Sequence, residues 1–154
     1  MNFSEERLTE RVCSRLQGWE VQREWYVVEG KTHFGKGDIL ARKGDSILAI
    51  ECKFINSKNR TKKRKKVKDQ ALIYASFAKL KNPSSRVKGC WVTNEGRGFT
   101  DILSLEKASR VCANYLWRSL LWWKIGPRDR ERLAPFLSGI QTHTSSSEDF
   151  AVLS

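Results

Sequence analysis

Apolar positions Leu8, Val12 and Leu16 recur every four residues behind Ser4, a candidate N-cap, and acids in the first turn; this predicts a helix that ends at Gly18. "WEVQREWYVV", from Trp19 to Val28, alternates and is rich in aromatic and β-branched side chains, which predicts a strand. "EGKTHFGKG" reads as a glycine-rich turn. A strand from Asp38 to Arg42, the tight turn "KGD" and a strand from Ser46 to Phe54 then predict a hairpin. Helical spacing returns from Val67 to Leu80 and "NPSS" breaks it. "VKGCWVTN", Val87 to Asn94, is a further strand. A tryptophan-rich helix is expected from Leu103 to Trp123, stopped near Gly126 and Pro127, with a short helix from Arg128 to Leu137. The tail "SGIQTHTSSSEDFAVLS" is polar and expected to be disordered.

Successive strands favour antiparallel pairing, whereas a helical crossover favours a parallel addition. The order of elements therefore predicts an α/β fold, a mixed sheet with helices on both faces. A chain of 154 residues suits one domain with a core of its own, here residues 1–137, followed by a flexible tail, 138–154. No run is long and apolar enough to span a bilayer and none has the form of a signal peptide, so a soluble intracellular protein is expected. Cys13, Cys52, Cys90 and Cys112 are far apart and form no CxxC pair, which favours free core thiols over a zinc site or disulfides.

Charge changes the picture. Twenty-nine Lys and Arg against seventeen Asp and Glu give a net charge of +12, which draws a chain toward DNA, RNA or an anionic membrane surface. The cations are concentrated in "INSKNRTKKRKKVK", Ile55 to Lys68, which holds eight Lys or Arg and no acid. Such a run repels itself, and a mobile loop leading into the next helix is expected. Its core, Thr61 to Lys66, looks like a phosphate-tracking loop. It also resembles a nuclear import signal, which would place the protein in the nucleus if the source is eukaryotic or viral, and in the cytoplasm otherwise.

Three charges interrupt the apolar hairpin. Side chains two apart in a strand share a face, so Leu48, Ile50, Cys52 and Phe54 form one face and Ile47, Ala49, Glu51 and Lys53 the other. The second face starts apolar and ends charged. A turn at Lys43 to Asp45 brings Asp38, at the start of one strand, beside Glu51 and Lys53, at the end of the next. Two carboxylates so close repel unless a cation lies between them, and hard oxygen ligands suit Mg²⁺ or Mn²⁺. A lysine beside that ion can orient a water or offset phosphate charge. The competing reading is a surface ion pair between Lys53 and Glu51 or Asp38.

Gly35-x-x-Asp38 followed by Glu51-x-Lys53 at the end of an apolar strand resembles the PD-(D/E)xK nuclease signature, with Gly37 in place of the proline. Gln70-Ala-Leu-Ile-Tyr74 is similar to the Q-x-x-x-Y motif of its RecB-like members; at this spacing Gln70 and Tyr74 share a helix face. The resemblance covers Ser4 to about Val92. It implies a restriction-endonuclease-like mixed sheet flanked by helices, with the tryptophan-rich helix as a C-terminal extension. It also implies a divalent-metal-dependent DNA nuclease, using water as nucleophile, of the kind that serves DNA recombination and repair. Asp38, Glu51 and the backbone carbonyl of Cys52 would hold Mg²⁺ or Mn²⁺. Lys53 would position the attacking water, and Gln70 and Tyr74 would support the site or contact substrate. A helix glutamate joins such sites: Glu5 is preferred, because it lies in line with Leu8 and Val12, ahead of Glu6 and Glu10. Lys36, Lys58, Arg60, Lys62, Lys63, Arg64, Lys65, Lys66 and Lys68 are the expected nucleic-acid contacts. His33 could touch a phosphate, and His143 has no expected catalytic role.

A Holliday-junction-type endonuclease is the leading form of this activity. A RecB-like exonuclease, an RNA endonuclease and a nucleic-acid-binding module without catalysis are the alternatives. A chain this small suggests a helicase or replication partner, or a homodimer. The dimer is expected through the 104–123 helix, with Trp117, Leu120, Leu121 and Trp123 at its centre. Trp117, Trp122 and Trp123 could instead pack in the core or stack on bases.

Overall fold

The computed structural model describes residues 3–28, 34–56 and 58–137. The expected tail (138–154), His143 in it, and His33 lie outside the described residues. Among the described residues five strands form one sheet in sequence order: β1 (Glu20–Val28), β2 (Phe34–Lys43), β3 (Ser46–Lys53), β4 (Arg86–Thr93) and β5 (Arg97–Phe99). β1, β2 and β3 form an antiparallel meander, β3 and β4 are parallel, and β5 returns antiparallel to β4. The helices are α1 (Phe3–Ser14), α2 (Arg60–Lys81), α3 (Leu105–Arg118) and α4 (Pro127–Leu133). The sheet is mixed, as expected, because α2 is the crossover between its two parallel strands. Among the described residues no helix is long and apolar enough to cross a membrane.

The alternation along β3 divides the core in two. Ile47 and Ala49 face α2 and α3, in a cluster with Trp25, Val27, Phe77, Val87, Cys112 and Leu116. Ile50 and Cys52 face the other way and pack with Ile39, Ala41, Cys90 and Leu8 of α1. The hairpin between β2 and β3 closes with Lys43 paired to Ser46. Gly44 takes φ +56°, a left-handed turn conformation that glycine adopts without steric cost. The four cysteines are free and, Cys13 excepted, buried.

Several expectations give way to other physics. Ser4 lies inside the first turn of α1 rather than capping it. The glycine-rich turn ends earlier than expected, because Phe34 to Gly37 already pair with β1. The cationic run is no loop: from Arg60 onward it is the N-terminal part of α2. Lys and Arg are good helix formers, Val67 anchors the run in the core, and two contacts offset part of the repulsion. These are Arg60 to Glu95 at 3.1 Å and Lys65 to Asp69, one turn on, at 2.9 Å.

The tryptophan-rich helix ends at Arg118, not Trp123. Leu120 takes φ +62°. Its N–H bonds Trp117 O at 3.2 Å and the N–H of Leu121 bonds Leu116 O at 2.8 Å. This is a Schellman closure with leucine in the position usually held by glycine. The chain then turns, so that Trp122 enters the core and stacks edge-to-face on Trp117, with ring centroids 6.0 Å apart. Of the four residues expected at a dimer centre, Trp117 and Leu121 pack on the core; Leu120 and Trp123 are exposed, and the Arg130 guanidinium lies over the Trp123 ring.

Candidate active site

The paired ladder of β2 and β3 stops at Ile39 and Ile50. One residue further on, carboxylates replace backbone carbonyls as acceptors. The N–H of Asp38 donates to Glu51 Oε2 at 2.9 Å, and the N–H of Cys52 donates to Asp38 Oδ2 at 2.8 Å. The two acids are thus fixed against opposite strands, and each keeps a second oxygen that accepts no hydrogen bond among the described residues. Glu51 is 3% exposed. Burial, and then the neighbouring Asp38 carboxylate, push its pKa up to about 9. Burial also raises Asp38, against the opposing pull of the Cys52 amide, and Glu5 raises it further.

Both acids open into a cleft of about 450 Å³ lined also by Glu5, Glu24, Lys36, Lys53, Lys63, Lys66 and Gln70. Lys53, half-exposed, does not pair with Asp38 or Glu51: its Nζ lies 3.1 Å from Glu5 Oε1. Glu5 is largely buried, and the same oxygen accepts the N–H of Phe54 at 3.4 Å. This ties α1 to the end of β3. Glu6 and Glu10 are exposed and do not line the cleft. Just past β3, Asn94 clasps Ile55 from both sides: its Oδ1 accepts the Ile55 N–H at 2.6 Å and its Nδ2 donates to Ile55 O at 3.0 Å. The exit of the strand is thereby held immediately after Lys53.

Gln70 Nε2 donates to Tyr74 Oη at 2.9 Å. Gln70 reaches the cleft; Tyr74 lies behind it, its ring edge-to-face on Trp25 at 6.3 Å, and its hydroxyl pKa is raised by burial. The cations divide. Lys36, Lys63 and Lys66 line the cleft. Arg60 and Lys65 are held by Glu95 and Asp69, Lys68 lies 4.7 Å above the Trp91 ring, and Lys58, Lys62 and Arg64 are exposed without lining it.

Two participants escape sequence reading. Glu24 lies between Arg23 and Trp25, whose partners Ile39 and Gly37 flank Asp38, and the ladder skips it: it has φ +52° inside an otherwise regular strand. Its signal was an acid in the strand that pairs with the Asp38 strand. The other is Trp25, which lies against Gly37. Gly37 stands immediately before Asp38, and a Cβ there would lie 2.1 Å from the indole Nε1 of Trp25, so the ring covers this backbone. That indole N–H is buried with no hydrogen-bond partner among the described residues.

Among the described residues no group of three or more His, Cys, Asp or Glu side chains is arranged to hold a metal ion. Two carboxyl groups that open into one cleft, each with an oxygen that accepts no hydrogen bond among the described residues, nevertheless fit Mg²⁺ or Mn²⁺, which would take the place of the proton that Glu51 otherwise holds. Such ions take one or two protein carboxylates and fill their other positions with water and substrate phosphate. No family model, curated protein or solved structure matches the chain.

Proposed function

We propose that the chain is a divalent-metal-dependent nuclease that hydrolyses phosphodiester bonds, with DNA as the first substrate to test, on a restriction-endonuclease-like core. The observation that carries this reading is the opposed pair Asp38 and Glu51, each anchored by a backbone N–H at the mouth of a lysine-walled cleft. A hard divalent cation held by Asp38, Glu51 and the Cys52 carbonyl would polarise a phosphoryl oxygen. Lys53 stands at the rim, where its ammonium can hold the attacking water, and Glu5 keeps it extended toward the cleft. Lys63 and Lys66 bind flanking phosphates. They stand near the N-terminal end of α2, already positive through the helix dipole, with no acid in its first turn to offset them. A polyanion supplies that offset. Gln70, held by Tyr74, reaches into the same cleft and favours the RecB-like form of the activity.

The test is cleavage of end-labelled duplex, single-stranded DNA, four-way junction and RNA, in Mn²⁺ and in EDTA. Cleavage in Mn²⁺ alone, lowered by roughly two orders of magnitude or more in Asp38→Asn and Glu51→Gln with binding retained, is the expected result. Wild-type rates in both variants place the chemistry elsewhere. Tight binding with no cleavage of any substrate makes the chain a binding module.

A further inference from the structure

A second hollow, of about 430 Å³, adjoins the carboxylate cleft, and Lys66 and Gln70 line both. Its remaining walls are of another kind. Ile73 and Tyr74 of α2 and Tyr115 of α3 supply apolar and aromatic surface, and Lys62 and Lys65 stand at the rim. The α2 contribution is one stripe of the helix, repeating every three or four residues from Lys62 to Tyr74. Both tyrosine rings are fixed from behind: Tyr115 edge-to-face on Phe77 at 6.0 Å, and Tyr74 on Trp25 at 6.3 Å. Tyr74 is also held at its hydroxyl by Gln70. The one carboxylate, Asp69, is engaged by Lys65 at 2.9 Å. A hollow of this size with rigid aromatic walls and few polar groups takes a flat, partly apolar ligand. Lys62 and Lys66, neither of them paired with an acid among the described residues, favour a ligand that carries negative charge beside it.

We propose that this hollow is a nucleobase subsite: it takes the unstacked base of a single-stranded nucleotide whose neighbouring phosphate lies in the carboxylate cleft. The proposal rests on the reading of that cleft as a nucleic-acid site. Continuity supports it, since Lys66 and Gln70 line both hollows. So does the division of chemistry, cations where phosphates would run and aromatic rings where a base would lie. A paired duplex keeps its bases stacked and cannot fill the hollow, so the subsite selects single strands, frayed ends or unpaired nucleotides.

The experiment measures binding of the full chain to a fluorescent oligothymidylate and to an abasic oligomer of the same length and charge, in EDTA. Wild type is expected to bind the base-bearing strand about tenfold more tightly. Tyr115→Phe keeps this gap. Tyr115→Leu, which retains apolar packing against Phe77, closes most of it while the salt dependence stays the same. Equal affinity of wild type for the two oligomers overturns the subsite without recourse to any variant, and so does a gap left unchanged in folded Tyr115→Leu. Cleavage of the same oligothymidylate in Mn²⁺ reports the carboxylate cleft separately. Cleavage with equal affinities leaves the hydrolytic reading standing and removes the subsite; a tyrosine-dependent gap without cleavage does the reverse.

Discussion

Asp38 and Glu51 stand opposite each other across the β2–β3 hairpin, each accepting a backbone N–H from the other's strand where the ordinary ladder ends. The arrangement locks two acids side by side at a place the fold has partly dried. It leaves Glu51 with a carboxyl that keeps its proton to about pH 9.

That proton has a consequence for stability. The unfolded chain releases it at the ordinary glutamate value, near 4.5, whereas the native state holds it to about 9. Between these limits the native state binds more protons than the unfolded one, so stability is greatest below about pH 4.5 as far as this group is concerned and falls as pH rises toward 9. Glu51→Gln removes the ionisable group and flattens this part of the profile. At pH 8 the variant is expected to melt higher than metal-free wild type by up to roughly 10–20 °C, for a gain of at most about 5 kcal/mol. Thermal melts in EDTA from pH 5 to 9 check this; parallel profiles for the two proteins would sink it. Added Mn²⁺ should stabilise wild type at pH 8 and not the variant.

Lys53 and Glu5 pair at 3.1 Å, but the lysine side chain is 44% exposed, so the pair contributes less than about 1 kcal/mol to folding. Lys53→Ala should therefore melt near wild type while cleaving on the order of a hundredfold more slowly. Its Mn²⁺ affinity, measured by calorimetry, should stay within a few-fold, since an ammonium is no metal ligand. Abolished metal binding with an unchanged rate would reverse the assignment.

The central acids are legible in the sequence because strand alternation and a short turn are local rules: once Lys43 to Asp45 turns the chain, Asp38 can only meet the end of β3. The partner of Lys53 is not legible. Glu5 reaches it from α1, and the choice among Glu5, Glu6 and Glu10 is made by how that helix docks on the sheet. The cationic helix escapes a local reading because charge repulsion is weighed there without Glu95 and Asp69, which pair with two of its members. The end of α3 escapes for a different reason. The stop signal there is a backbone conformation, and Leu120 adopts it without the glycine that would announce it. β5, three residues containing a glycine, has too little pattern to be read as a strand.

The cations of α2 differ in what they are free to do. Lys63 and Lys66 line the cleft and Lys62 the hollow beside it, whereas Lys65 and Arg60 already face acids. Replacing Lys62, Lys63 and Lys66 together by Ala should weaken DNA binding at every sequence and lower the salt slope by about one for each phosphate no longer neutralised. Lys65→Ala and Arg60→Ala should change the slope less. Binding titrations across a range of salt concentrations decide the matter. An unchanged slope in the triple variant would mean that the phosphates run elsewhere.

Gly37 stands immediately before Asp38, and Trp25 explains why no side chain is found there. The two residues are cross-strand partners, and the indole lies against the glycine so closely that a Cβ would sit 2.1 Å from Nε1. Gly37→Pro should therefore damage the protein, and Gly37→Ala alone should cost roughly 1–3 kcal/mol through overpacking. The ring cannot yield easily, being 3% exposed and set against Tyr74. Shortening it should relieve the clash: Gly37→Ala added to Trp25→Leu should cost clearly less than it does in the wild-type background. Denaturant unfolding of both single variants and the double variant measures this coupling. Strictly additive costs would show that the indole is not what excludes a side chain beside Asp38.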